Sequence, residues 1–374
     1  RVVNQFDVAE IGAIVIPVEF VVINRDFVGF IKAQGRLEIE LERCAVGEGM
    51  AIPETDPRVG VVVVDELGAT LCSIVEVENA KVQLAVNFER FLRLADPRRM
   101  PQYVKETLRA PIGSFSDRLK LVRLSRRVSR GSLADLFRQP DMLTMDFLRT
   151  AGFSETMTER FFRPFFSGVC LDPHIRVSSN FFQFVFRMFV QGDATLPAEG
   201  MEAIPRQLAA NFPADAVRTG VRVASVSKGQ IRLESGEELR ARAVVVATDG
   251  PEAARLLEAG EAIASRPVTC VYYDASHPPI KEPFLVLNAD GGGPVHSLSV
   301  PSQVAPTYAP EGQALVSVVV LGHQDVQDNA LEKKVRNQLK DWYGSAVADW
   351  QFLKLYRIRH ALSDQASPLP DPTA

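Results

Sequence analysis

Residues 219–250 read TGVRVASVSKGQIRLESGEELRARAVVVATDG and run directly into PEAARLLE at 251–258. Val221, Val223 and Val226, then Ile231 and Leu233, then Ala243 to Ala247 form three apolar stretches. Gly229 and the pair Ser235 and Gly236 supply the turns between them, so the segment reads as a three-stranded meander. Its last strand is the most apolar. A run such as Ala243 to Ala247 suits a strand buried on both faces in the middle of a parallel sheet. Ligands of such sheets bind at the carboxyl ends of the strands, which puts Thr248, Asp249 and Gly250 beside a dinucleotide crevice. An ordinary buried strand and turn accounts for the same residues equally well.

Outward from this segment the chain alternates. Val61 to Val64 is the clearest early strand, and residues 100–190 read as helical. There Ser116 is a candidate cap for a helix through Leu119, Val122 and Arg126, with Gly131 breaking it. After residue 267 come further strands, notably Ala314 to Leu321. One helix interrupts them: Asp328 is its candidate cap, Leu331, Val335, Leu339 and Trp342 form one face, and Gly344 ends it. This pattern predicts an α/β or α+β chain with a helical part inserted between sheet-forming parts.

With 374 residues, 46% hydrophobic and 24% charged, the chain has ample apolar material for a core. A net charge of −4 supplies no whole-protein field that would favour nucleic acid or an anionic membrane. The four cysteines, Cys44, Cys72, Cys170 and Cys270, show no metal-ligand spacing. They are expected to be reduced, mostly buried thiols, with no metal site and a reducing compartment such as cytoplasm or plastid stroma. No apolar run is long enough to span a bilayer. Position 1 is Arg, so the numbering is expected to begin inside a longer gene product.

The meander and its upstream neighbour carry a resemblance. Leu196 to Ala209, LPAEGMEAIPRQLA, resembles the P-x-G-G-M-x-x-[IL]-x-x-x-L element of flavin amine oxidases, protoporphyrinogen oxidases and phytoene desaturases. Pro197, Gly200 and Met201 fit it, while Glu199 stands where glycine is usual. In those families a valine at the position of Val223 lies against the FAD adenine through its backbone, with Val226 as its partner. The strand ending in A-T-x-G, here Ala247, Thr248 and Gly250, closes over the cofactor. YRIRHAL (Tyr356 to Leu362) extends the likeness toward the C-terminus.

The N-terminal counterpart is FDVAEIG (Phe6 to Gly12), which resembles a first strand and the first glycine of a dinucleotide motif. Ala33 to Met50 resembles the second strand and its sequel. The resemblance puts Glu42 at the ribose-binding acid with Arg43 beside it, and Gly47 and Gly49 near the family's G-G-[RK] turn. Between these pieces the pattern departs. G-x-G-x-x-G is expected from Gly12, but the sequence reads GAIVIPVEF, with Pro17 where the helix would begin and Ile14 where backbone should approach phosphate. Ile14 to Ile31 reads as a foreign or diverged replacement in which Val21, Val22 and Ile23 favour an extended backbone as much as a helix. The family's last FAD-contacting element, a Gly-Asp pair, is not found before Ala374. Weak FAD binding is the expected consequence.

Ten of the 22 phenylalanines fall between Phe153 and Phe189. They read as a buried helical core, with an aromatic wall for a flat or lipophilic substrate as the alternative. Lys120, Arg123, Arg126 and Arg127 read as a solvated helix face, with peripheral contact to an anionic membrane surface left open. No histidine stands in a nucleophile or H-E-x-x-H pattern, so no catalytic base is named.

Taken with the resemblance, these readings imply an α/β fold. A discontinuous Rossmann-like FAD domain spans 1–75 and 197–260, and a substrate domain of inserted helices and mixed sheet spans 76–196 and 261–366. The Pro-rich tail at 367–374 is a linker. The implied activity is FAD-dependent hydride removal from a C–N or C–C bond of a small or lipophilic substrate. A non-catalytic remnant that keeps the fold is the alternative.

Overall fold

The computed structural model describes residues 101–213, 216–258 and 264–368. Before residue 101 it describes the strand residues 21–23, 61–62, 77–78, 83–88 and 90–94. In chain order these early strands are β1 (Val21–Ile23), β2 (Val61–Val62), β3 (Val77–Glu78), β4 (Gln83–Phe88) and β5 (Arg90–Leu94). Helices follow: α1 (Val104–Arg109), α2 (Phe115–Val128), α3 (Leu133–Phe137), α4 (Thr144–Thr150), α5 (Arg163–Cys170) and α6 (Ser179–Gln191). Then come β6 (Asp193–Pro197), α7 (Ala203–Ala209), β7 (Val223–Ser227), β8 (Gln230–Leu233), β9 (Glu238–Arg240), β10 (Val245–Val246) and α8 (Gly250–Leu257). The chain closes with β11 (Ser265–Ala275), β12 (Phe284–Asn288), β13 (Ser297–Ser299), β14 (Ala314–Leu321), α9 (Asp328–Tyr343) and β15 (Gln351–Ser363). Helix and sheet are interleaved, and the chain is α/β.

Two compact units divide these elements. The larger takes in Val77–Ala198 and Arg266–Ala374, and β1 lies in it. Its sheet runs β15-β11-β14-β13-β12-β4-β5, and β11 pairs with β14 over eight residues, from Val268↔Leu321 to Ala275↔Ala314. Alternation along these strands separates two faces. Val271, Tyr273, Val316 and Val318 pack on Leu331, Val335 and Leu339 of α9. Val268, Cys270 and Val319 point the other way, onto Leu171 and Ala361. The anticipated α9 face therefore stands, but Gln327 is its cap; Asp328 is already helical, and its carboxylate takes a hydrogen bond from Arg357 Nε at 2.8 Å. Gly344 ends the helix at φ +73°, a conformation that favours glycine.

The phenylalanines form the second core of this unit. Phe182 and Phe186 of α6 are buried against Phe162 and Phe166, with the Phe166 and Phe182 ring centroids 4.5 Å apart. A π-helical turn, Thr158–Phe162, leads into α5 and sets Phe162 on the same side as Phe166. The buried-core reading accounts for these rings. Cys170 and Cys270 are buried, and burial pushes the Cys170 thiol up to about 12. Cys44 and Cys72 lie outside the described residues.

Helix α2 starts two residues earlier than the sequence suggested. Ser114, not Ser116, is the cap. Its hydroxyl accepts from the Asp117 N–H while the Asp117 carboxylate accepts from the Ser114 N–H, a reciprocal box that Ser116, inside the first turn, cannot form.

The smaller unit takes in Glu199–Ser265 and β2. Gly229 and Gly236 make the expected turns, at φ +72° and +88°. The third strand of the antiparallel meander β7-β8-β9 is Glu238–Arg240, however, and not Ala243 to Ala247. That later run contributes only β10, which pairs antiparallel with β2 through Val245↔Val62. Nor is it buried on both faces. Val244 and Val246 pack on Val223, Ile231, Leu233 and Leu256, while Val245, on the opposite face, is 44% exposed. A central parallel strand is thus replaced, among the described residues, by an antiparallel strand with one covered face.

Candidate cofactor site

Val223 opens β7, and its side chain is buried against Ile231, Leu233 and Leu256. Within the described sheet β7 is an edge strand. On that strand Arg255 of α8 donates from Nη2 to the Val223 carbonyl at 3.1 Å and from Nη1 to the Ala224 carbonyl at 3.0 Å. Its Nε also donates to Glu252 at 2.8 Å, and this hydrogen bond holds the Glu252 carboxyl below its usual range against the opposing effect of burial.

Thr248, Asp249 and Gly250 link β10 to α8. The Asp249 side chain caps the helix by accepting from the Glu252 N–H at 2.9 Å. Gly250 is the first helical residue, and Leu256 carries the helix onto the Val223 cluster. The structure therefore brings Val223 of β7, Val246 of β10 and Leu256 of α8 to one small apolar cluster, with Arg255 as the polar link between α8 and β7.

Gly200 takes φ +90° in the turn before α7, with open space where a Cβ would stand, so backbone conformation rather than crowding calls for glycine there. Met201 is exposed, and Glu199 lies 3.8 Å from Arg206. Gly12, Glu42, Arg43, Gly47 and Gly49 lie outside the described residues. The segment between the expected glycine and acid contributes one described element. This is β1, whose three residues pair antiparallel with β6 through Val21↔Thr195, Val22↔Ala194 and Ile23↔Asp193. The extended alternative for Val21 to Ile23 is the one adopted.

A purine edge presents a donor and an acceptor side by side, and an extended edge strand offers a carbonyl and an N–H to match. The Val223 carbonyl has two lone pairs, of which Arg255 engages one. The N-terminus of α8 does not fit a phosphate, because the Asp249 carboxylate already occupies it. Among the described residues no group of three His, Cys, Asp or Glu side chains is placed to hold a metal. None of their helices is long and apolar enough to cross a membrane.

One pairing escaped the sequence. In the larger unit His296 Nε2 lies 3.0 Å from the Ser167 hydroxyl, with both residues buried. Burial pushes the imidazole down to about 4, so the ring is neutral at pH 7. The two residues lie in separate elements far apart in the chain, and no local motif announces them.

The family model for flavin-containing amine oxidoreductases matches residues 71–363. No curated protein matches the chain. Among solved structures, an oxidoreductase from Methanosarcina mazei is similar at a TM-score of 0.57 and 14% identity, covering 82% of this chain and 72% of its own. A protein assigned as a protoporphyrinogen oxidase from Exiguobacterium sp. 255-15 gives a TM-score of 0.54 and 16% identity, with 78% and 71% covered. Reduced UDP-galactopyranose mutase gives 0.51 and 13%, with 76% and 66% covered. At these identities the similarity establishes the fold.

Proposed function

The chain belongs to the flavin-containing amine oxidoreductases, and from that premise we propose that it is an FAD-dependent oxidoreductase that takes hydride from a C–N or C–C bond of a small or lipophilic substrate. The observation that carries the reading is the convergence of β7, β10 and α8 on one apolar cluster, with the Thr248–Gly250 turn joining β10 to α8. In this reading the Val223 backbone holds the adenine edge, and the Thr248–Gly250 turn lies beside the same end of the cofactor. Flavin, when bound, supplies the hydride acceptor, so the protein's own task is to orient the substrate and exclude water. A fold shared with both an oxidase and a mutase does not select the substrate.

A second reading, a chain that keeps the fold without tight flavin, is favoured by β1. An extended Val21–Ile23 paired with β6 stands within the stretch where a Gly-rich turn would lead into a phosphate-facing helix. The absorbance spectrum of purified protein, followed by chromatography of whatever denaturation releases, separates the two. Flavin bands and one FAD per chain support the enzyme. A colourless protein that takes up no added FAD in a calorimetric titration supports the second reading.

A further inference from the structure

Helix α2 carries apolar residues on its exposed side as well as on the side that packs on the core. Its buried side chains are Asp117, Leu124 and Val128. At 100° per residue, Phe115, Leu119, Val122 and Arg126 fall within about 60° of one another, on the side opposite that buried face. All are exposed, with Phe115 at 71%, Leu119 at 45% and Val122 at 46%. Solvated faces of surface helices are normally polar, so three large apolar side chains in register need a partner.

The charges around this ridge indicate which partner. Arg123 and Arg126 are exposed and have no partner among the described residues, and Arg130 follows, exposed, one turn beyond Arg126. The one acid on the helix, Asp117, is buried and accepts hydrogen bonds from Ser114 and Ser154, so it does not oppose them. Lys105, Leu108 and Arg109 are also exposed, on the preceding helix α1. An apolar ridge continued by unpaired guanidinium groups, with no exposed carboxylate on the same helix, is complementary to a surface with apolar depth beneath a negative face.

We propose that α2 is an interfacial helix that seats this unit on an anionic lipid bilayer. Phe115, Leu119 and Val122 enter the headgroup–acyl boundary, and Arg123 and Arg126 lie along the lipid phosphates. This orientation does not depend on bound flavin, so it stands or falls separately from the enzymatic reading.

The test is co-sedimentation of the full chain with vesicles of phosphatidylcholine mixed with phosphatidylglycerol, and with phosphatidylcholine alone. The chain is expected to pellet with the anionic vesicles and to be released by high salt. The combined Phe115→Ser, Leu119→Gln and Val122→Gln variant should bind them about tenfold more weakly or worse. Its melting curve should stay unchanged, because the replaced side chains are solvent-facing. Arg123→Gln with Arg126→Gln should lose about tenfold on anionic vesicles only. A Phe115→Trp variant should gain a blue-shifted emission component when anionic vesicles are added. The proposal is overturned if the unmodified chain stays in the supernatant at low salt. It is equally overturned if the apolar variant binds as tightly as the unmodified chain, or if the chain binds a soluble acidic protein and no vesicles.

Discussion

His296 Nε2 and Ser167 Oγ stand 3.0 Å apart, and with this contact the residue leading into β13 is tied to the middle of α5. Gly168 makes the approach possible, since a Cβ built on it would stand 3.1 Å from the same ring nitrogen. The joint fixes a helix of the phenylalanine core to the strand region of the sheet through one neutral imidazole.

That neutrality has a pH signature. Burial lowers the His296 pKa to about 4, so the unfolded chain binds this proton more readily than the folded one does. The associated stability is fully present above the ordinary histidine range and is lost as the pH falls from about 6.5 toward 4, by roughly 3 kcal/mol. Urea unfolding at pH 7 and pH 5 should show the loss in the natural chain and a smaller one in His296→Gln. Equal pH dependence in both proteins would mean the histidine is not the titrating group.

Asp117 should behave in the opposite sense. Burial alone would raise its pKa, but hydrogen bonds from Ser114 and Ser154, at 2.7–2.9 Å, hold the carboxyl well below its usual range. Its contribution is present above the ordinary carboxylate range and is lost as the pH falls below it. Asp117→Asn sets an amide NH2 against groups that donate, and should cost roughly 3 kcal/mol at neutral pH. The midpoint difference between the two proteins should narrow below about pH 4. An Asn variant as stable as the natural chain at pH 7 would contradict this account of the cap.

The stretch around β1 is the place to change flavin affinity. Replacing residues 14–31 with a regular Gly-rich turn and helix should tighten FAD binding about tenfold or more, because backbone N–H groups at a helix N-terminus would then face the pyrophosphate. The same replacement removes the pairing of Val21 to Ile23 with β6, so the larger unit should melt earlier. Calorimetry with FAD measures the first effect and thermal unfolding the second. Unchanged FAD affinity in a folded variant would locate the deficit elsewhere.

Much of this was legible because burial imposes patterns on residue types. Ala314 to Leu321 is a strand of the expected extent, since a run without polar interruption suits a strand covered on both faces. Leu331, Val335 and Leu339 announced their face by spacing. The failures share a different cause. Ser114 and Ser116 look alike in sequence, and only the carboxylate three residues beyond Ser114 distinguishes them. The run at 243–247 resembled a central strand because residue type does not specify a partner, and β2 covers only part of it. Val223 and Gly250 could be singled out by resemblance, but Arg255, which joins their elements, reads as one more charge on an exposed helix. The Ser167–His296 contact depends on tertiary approach alone.

The parallel pairing of β4 with β12 sets a timetable for synthesis. Gln83 lies beside Phe284 and Asn87 beside Asn288, so the two strands meet across about two hundred residues of intervening chain. At ribosomal rates β4 leaves the tunnel roughly 10–40 s before its partner exists. Through that interval β4 has β5 as its partner on one edge, and its other edge waits for β12. The sheet can therefore close only after every helix between β4 and β12 has been synthesised.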